Sequence, residues 1–121
     1  MPAIMACMRD DIKEIRSSAL SLLARVADVA PLALLPFIEQ ISDYLIMALR
    51  LERMPEARRG SAVVISALIR SLGADAPTVL TMPRILAFQK QLRMTRDGDE
   101  DALLRQHAQV ALQDIADCLV L

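Results

Sequence analysis

Tryptophan is absent from this 121-residue chain, tyrosine occurs once and phenylalanine twice, so aromatic residues make up only 2% while hydrophobic ones make up 55%. Strands favour aromatic and β-branched residues, whereas a core of Leu, Ala, Ile, Val and Met suits helices packed through aliphatic side chains. An all-α fold is therefore expected. Glycine occurs three times, too rarely for a glycine-rich phosphate loop, and no hydrolase elbow or zinc-helix motif is present. The two cysteines, Cys7 and Cys118, stand near opposite ends without paired or metal-ligand spacing, the pattern of reduced thiols in cytosol or nucleus. His107 is the only histidine. No Cys, Asp or Glu accompanies it at ligand spacing, so no metal site, histidine triad, catalytic residue or cofactor is expected.

An excess of charge of one sign is also missing. Fourteen basic residues against fifteen acidic ones give a net charge of -1, which leaves none of the field that attracts nucleic acid or anionic lipid. Nucleic acid is therefore not an expected partner. The most apolar run, "VAPLALLPFIEQISDYLIMAL", carries Glu39 and Asp43 near its middle and Pro31 and Pro36 inside it, so it reads as a helix of a soluble protein and membrane association is not evident. The first residues, "MPAIMACMRDD", lack the basic region of a signal peptide.

What is abundant is helical periodicity, and it recurs. "EIRSSALSLLARV" from Glu14 matches "EARRGSAVVISAL" from Glu56 at an offset of 42, and "LLRQHAQVALQDI" matches the second copy at an offset of 47. Arg16, Arg58 and Arg105 fall on one another, as do Leu23, Ile65 and Leu112. Each copy has one apolar face at helical spacing. The repeated helices are expected over about 10–30, 55–73 and 99–119, with intermediate helices over about 34–51 and 82–96. Pro31, Pro55, Pro77 and Gly73 punctuate the divisions, and Asp99, Glu100 and Asp101 stand where the last helix's positive N-terminus favours anions.

A unit of two helices at this period is that of HEAT and armadillo arrays, in which no unit buries its apolar face without its neighbours. The expectation is a single helical-repeat domain over 1–121, an α-solenoid of about five helices; a plain five-helix bundle fits the same periodicities. "PAIMACM" resembles the tail of an intermediate helix, so self-association through an apolar N-terminal end is expected.

Two sets of residues are candidates for function. Arg16, Arg58 and Arg105 each follow an acidic group, namely Asp10 or Asp11, Glu52 and Asp101. Stacked repeats would align them into a ladder between units, while solvated surface charges are the plainer account. The second set lies on polar faces: Arg84, Gln89, Lys90 and Arg93 on one intermediate helix, and Gln109 and Gln113 on the last repeated helix. Twelve of the fourteen basic residues are arginines, which suits planar recognition of carboxylates on a protein partner. The acidic run around Gly98 lacks the alternating ligands of a calcium loop and reads as helix-capping charge.

Across most of the chain, from about Arg16 to about Ile115, the order and spacing of these blocks resemble the C-terminal region of the transport and Golgi organization protein six family. The most specific segments are Arg58 and Arg59 before an apolar helix, "LGADAPTVL", and "RQHAQVALQDI", where His107, Ala108, Gln109, Ala111 and Leu112 match the family's "LHAQLALEEL". Gln106 departs from the family's leucine, and "MPRILAFQK" replaces a more aromatic segment. The resemblance implies the C-terminal portion of a longer armadillo-like solenoid, a non-enzymatic adaptor in the cytoplasm that shuttles to the nucleus. Its implied partners are RNA polymerase II subunits or their assembly and transport factors. Two other readings stay open: an importin-like carrier fragment, and a small helical ligand-binding domain with a deep pocket.

Overall fold

The structure, a computed structural model, describes residues 2–119, and these are helical with no strand among them. The helices are α1 (Pro2–Met8), α2 (Lys13–Val29), α3 (Ile38–Leu51), α4 (Pro55–Leu72), α5 (Ala76–Leu80), α6 (Met82–Gly98) and α7 (Ala102–Leu119). 3-10 turns over Pro31–Phe37 and Gly73–Asp75 precede α3 and α5.

The local causes are visible in the sequence. Pro55 opens α4 at a position whose N–H would have no helical partner, and Gly73 closes it at φ 53, a conformation that L side chains rarely adopt. Pro36 has no N–H to donate, so the stretch expected to be helical from residue 34 runs as a 3-10 turn and α3 starts at Ile38. Asp10 accepts from the Ile12 N–H (2.9 Å) and turns the chain there, which is why α2 begins at Lys13 and not near residue 10. Asp101 does the same for α7, accepting from the Leu104 N–H at 2.7 Å. Thr81, before α6, has φ 75 and ψ 148, a strained backbone for a residue that is not glycine.

In the packing, α4 lies between α2 and α7; α3 packs on α4 and on α6, α6 packs on α7, and α1 packs on α2. The central position of α4 follows from its composition. It buries Ala57, Ala62, Val64, Ile65, Leu68 and Ile69, which cover more than one face of the helix, whereas the polar residues of α2 and α7 leave each of those helices one open side. The core continues into the second set of helices through Ile41, Leu45, Ile85, Phe88 and Leu92.

The repeat offsets describe this packing residue by residue. On α2, Leu20, Ala24 and Ala27 are buried; on α4, their counterparts Ala62, Ser66 and Ile69 are buried as well. On α7, the counterparts Gln109, Gln113 and Ala116 are exposed. Close approach of α2 to α4 depends on Gly60, because a Cβ there would sit 3.2 Å from the Leu20 Cβ. By length and composition, Pro31–Leu51 and Pro55–Leu80 are apolar enough to cross a membrane, but 50% of the second stretch's most apolar window is packed inside the fold.

Candidate protein-binding surfaces

The loops that lead into α2, α4 and α7 each contain one acid that accepts from the N–H two residues further on. Asp10 serves Ile12 (2.9 Å), Glu52 serves Met54 (3.1 Å) and Asp99 serves Asp101 (2.9 Å). Two of these acids also receive a guanidinium from the preceding repeated helix. Arg16 on α2 donates through Nε and Nη2 to both oxygens of Glu52, at 2.9 and 3.0 Å. Arg58 on α4 meets both oxygens of Asp99, at 3.0 and 3.2 Å. Beside it, Arg59 donates to Asp101 at 3.1 and 2.5 Å.

Bidentate pairing of this kind fixes direction as well as distance. Burial pushes the Glu52 carboxyl upward, but the Arg16 guanidinium and the Met54 N–H together bring it below its ordinary value. The Asp101 carboxyl is lowered to about 2, chiefly by the Arg59 hydrogen bonds and then by the Leu104 N–H.

The structure supplies the partners that the repeat spacing left open. Glu52 pairs with Arg16 and Asp101 with Arg59, so each carboxylate is met by an arginine of the preceding repeated helix and not by the arginine that follows it in the chain. The physical reason is the cap. A carboxylate held on a backbone N–H two or three residues ahead is fixed in the loop, where the guanidinium of the preceding repeated helix reaches it. Arg105 forms no ion pair among the described residues; its Nη1 donates to the carbonyls of Asp99 (2.7 Å) and Glu100 (3.2 Å). Arg59 and Asp99 were missed, although a signal existed: Asp10, Glu52 and Asp99 share the same 42- and 47-residue offsets as the arginines.

At the opposite end of the repeated helices, Ser66 donates a short hydrogen bond to Asp114, and Arg70 reaches Asp28 on α2 (3.8 Å) and Asp114 on α7 (3.9 Å). The exposed Arg70 contributes little there by itself.

The second candidate set is dispersed. Arg84 turns back and donates to the Leu80 carbonyl at 2.9 Å. Lys90 lines a groove of about 320 Å³ between α3 and α6, with Ile46, Arg50, Ala87, Gln91 and Met94. Gln89 is half-buried and Arg93 exposed. Gln109 accepts from Arg96 (3.3 Å), and Gln113 donates to Asp117 (2.9 Å), both on α7. These residues therefore occupy several places instead of one patch, since the helical turn divides α6 between its α3 and α7 neighbours.

Two larger hollows exist. One of about 560 Å³ lies between the loop before α2 and the end of α3, lined by Met8, Asp10, Arg16, Tyr44, Leu51 and Glu52 among others. Burial raises the Tyr44 hydroxyl above its ordinary value. Another of about 550 Å³ lies between the end of α2 and α5, lined by Val29, Pro31, Leu32, Leu72, Asp75 and Val79 among others. Cys118 is buried and donates to the Ile115 carbonyl at 3.1 Å, and its burial raises the thiol. No group of three or more His, Cys, Asp or Glu able to hold a metal ion occurs among the described residues.

Compared with family models, with curated proteins and with solved structures, the chain has no significant match.

Proposed function

We propose that the chain is a non-enzymatic protein-binding scaffold, built as a HEAT- or armadillo-like stack of helix pairs. The observation that carries this is the equivalence of successive junctions. Residues at the same repeat positions are buried on α2 and α4, α2 packs on α4 as α4 packs on α7, and Arg16 and Arg58 reach forward to the same loop position in the next pair. Stacks of this kind expose extended faces suited to binding other proteins.

The resemblance to the transport and Golgi organization protein six family extends the proposal. The chain would correspond to the C-terminal portion of such an adaptor, present in the cytoplasm and shuttling to the nucleus, and would assist assembly and nuclear import of RNA polymerase II. The α6 face with Lys90 and Arg93, and the groove it shares with Arg50, is the surface we assign to the partner, because exposed cations beside methionine suit an acidic and apolar protein segment.

The test is quantitative capture of RNA polymerase II subunits and their assembly factors from cytosol, using the native chain and a chain carrying K90E and R93E. Recovery that falls with the charge reversal supports both the partner class and the face. Equal recovery moves the contact elsewhere, and recovery of none of these proteins overturns the polymerase assignment.

A further inference from the structure

Among the described residues two rungs are half-made, at Asp10 and at Arg105, and the two halves are complementary. Asp10 holds the Ile12 N–H through Oδ1 just as Glu52 and Asp99 hold theirs, yet no guanidinium pairs with it among the described residues. Arg105 places Nη1 on its own loop carbonyls at 2.7 and 3.2 Å, as Arg16 does at 2.9 and 3.1 Å. The Arg105 Nε and Nη2 make no hydrogen bond among the described residues, and in Arg16 those two atoms carry Glu52. Asp10 is therefore a prepared carboxylate with no arginine among the described residues, and Arg105 a prepared arginine with no carboxylate among them.

We propose that the chain associates with itself head to tail, the open side of α7 in one copy docking on the open side of α2 in the next, with Arg105 of the first paired to Asp10 of the second. The internal junctions supply the register. Leu20 sits over Gly60 at the α2–α4 junction, and the same step sets Gln109 over Ser18 of the next copy. Ser66 bonds Asp114 at the α4–α7 junction, and the same step sets Gln113 against Arg25. The pairing of Ile69 with Cys118 around a small hollow becomes Ala116 against Val29. All six residues brought together this way are exposed. They match amide to hydroxyl, amide to guanidinium and aliphatic to aliphatic.

This interface is mixed in polarity, unlike the apolar N-terminal contact expected from the sequence. On the open side of α2, Ser18, Ser21 and Arg25 are interleaved with Leu22 and Val29. Association is accordingly reversible and sensitive to salt. A head-to-tail contact joins two different surfaces and grows without a fixed end unless its rotation closes a ring. The inference rests on the stacked-repeat reading proposed above and not on the polymerase assignment, and it concerns the behaviour of this 121-residue chain by itself.

Sedimentation velocity of the full chain over rising concentration tests it. The weight-average sedimentation coefficient should climb up to about 1 mM protein without levelling at a dimer, and less steeply as salt is added. D10R and R105E should each weaken association at least about tenfold. An equimolar mixture of the two should restore it, because the reversals complement each other across the junction. Q113K, which touches no rung and faces Arg25 in this register, should also weaken association, so a folding loss in the rung variants does not decide the outcome. A plateau at the dimer, an unchanged climb in Q113K and both reversals, failure of the mixture to restore association between folded variants, or no climb at all overturns the proposal.

Discussion

The junction between α2 and α4 and the junction between α4 and α7 occupy the same register, yet they are sealed by different chemistry. At the first, Leu20 fills the space that Gly60 leaves, Ala24 and Ala27 are buried beside it, and a single rung, Arg16 to Glu52, closes the end. At the second, the leucine position is Ala62, Ser66 bonds Asp114, and two rungs, Arg58 to Asp99 and Arg59 to Asp101, lie side by side. Apolar burial gives free energy without direction, whereas charge-assisted pairs give direction with little net free energy. The first junction is thus held mainly by packing, and the second is aligned mainly by its polar contacts.

Shrinking the large side chain at the first junction should have the greatest effect. Leu20→Ala should cost about 2–5 kcal/mol in urea or thermal unfolding, because its fully buried position cannot collapse onto a glycine. Adding Gly60→Ala to that variant should recover part of the loss, since the new Cβ occupies the vacated space; a purely additive double mutant would show that the two residues do not share a contact.

At the second junction a single truncation should cost less. Arg58→Ala should lower stability by about 1 kcal/mol, because Asp99 keeps its bond to the Asp101 N–H and remains partly solvated. A change under about 0.5 kcal/mol would make Arg58 an ordinary surface charge.

The smallest effect should appear as a pH dependence. The Asp101 carboxyl lies at about 2 in the fold against an ordinary value of 3.8. Its folded value is depressed, so the stability it contributes is present above pH 3.8 and is lost as the pH falls through that window toward about 2. Melting temperature followed from pH 5 downward should drop more gently in Asp101→Asn than in the native chain over this interval. Parallel curves would show that the carboxylate does not contribute to the second junction.

Some of this was legible in particular residues. The apolar spacing around Leu23, Ile65 and Leu112 marked three similar helices, and Pro55 and Gly73 marked the ends of α4, because those features act within one or two turns of chain. The 3-10 run over Pro31–Phe37 and the short α5 were not foreseen, since short segments take their conformation from what they pack against. Among the candidate residues, the arginines of the rungs were marked by their repetition, but spacing along the chain did not say which acid each one meets. Asp101 stands shortly before Arg105 in the chain, yet it caps Leu104 and pairs with Arg59.

The sequence by itself determined an all-helical chain with three similar amphipathic helices, because periodicity, propensity and capping are local and survive without knowledge of neighbours. Only the tertiary structure decided which arginine meets which carboxylate, that α4 occupies the middle, and that the glutamines of α7 face outward where their counterparts are buried. Those outcomes depend on how helices far apart in the chain approach one another. A single residue such as Gly60 controls that approach through the space it leaves, and spacing along the chain does not record it.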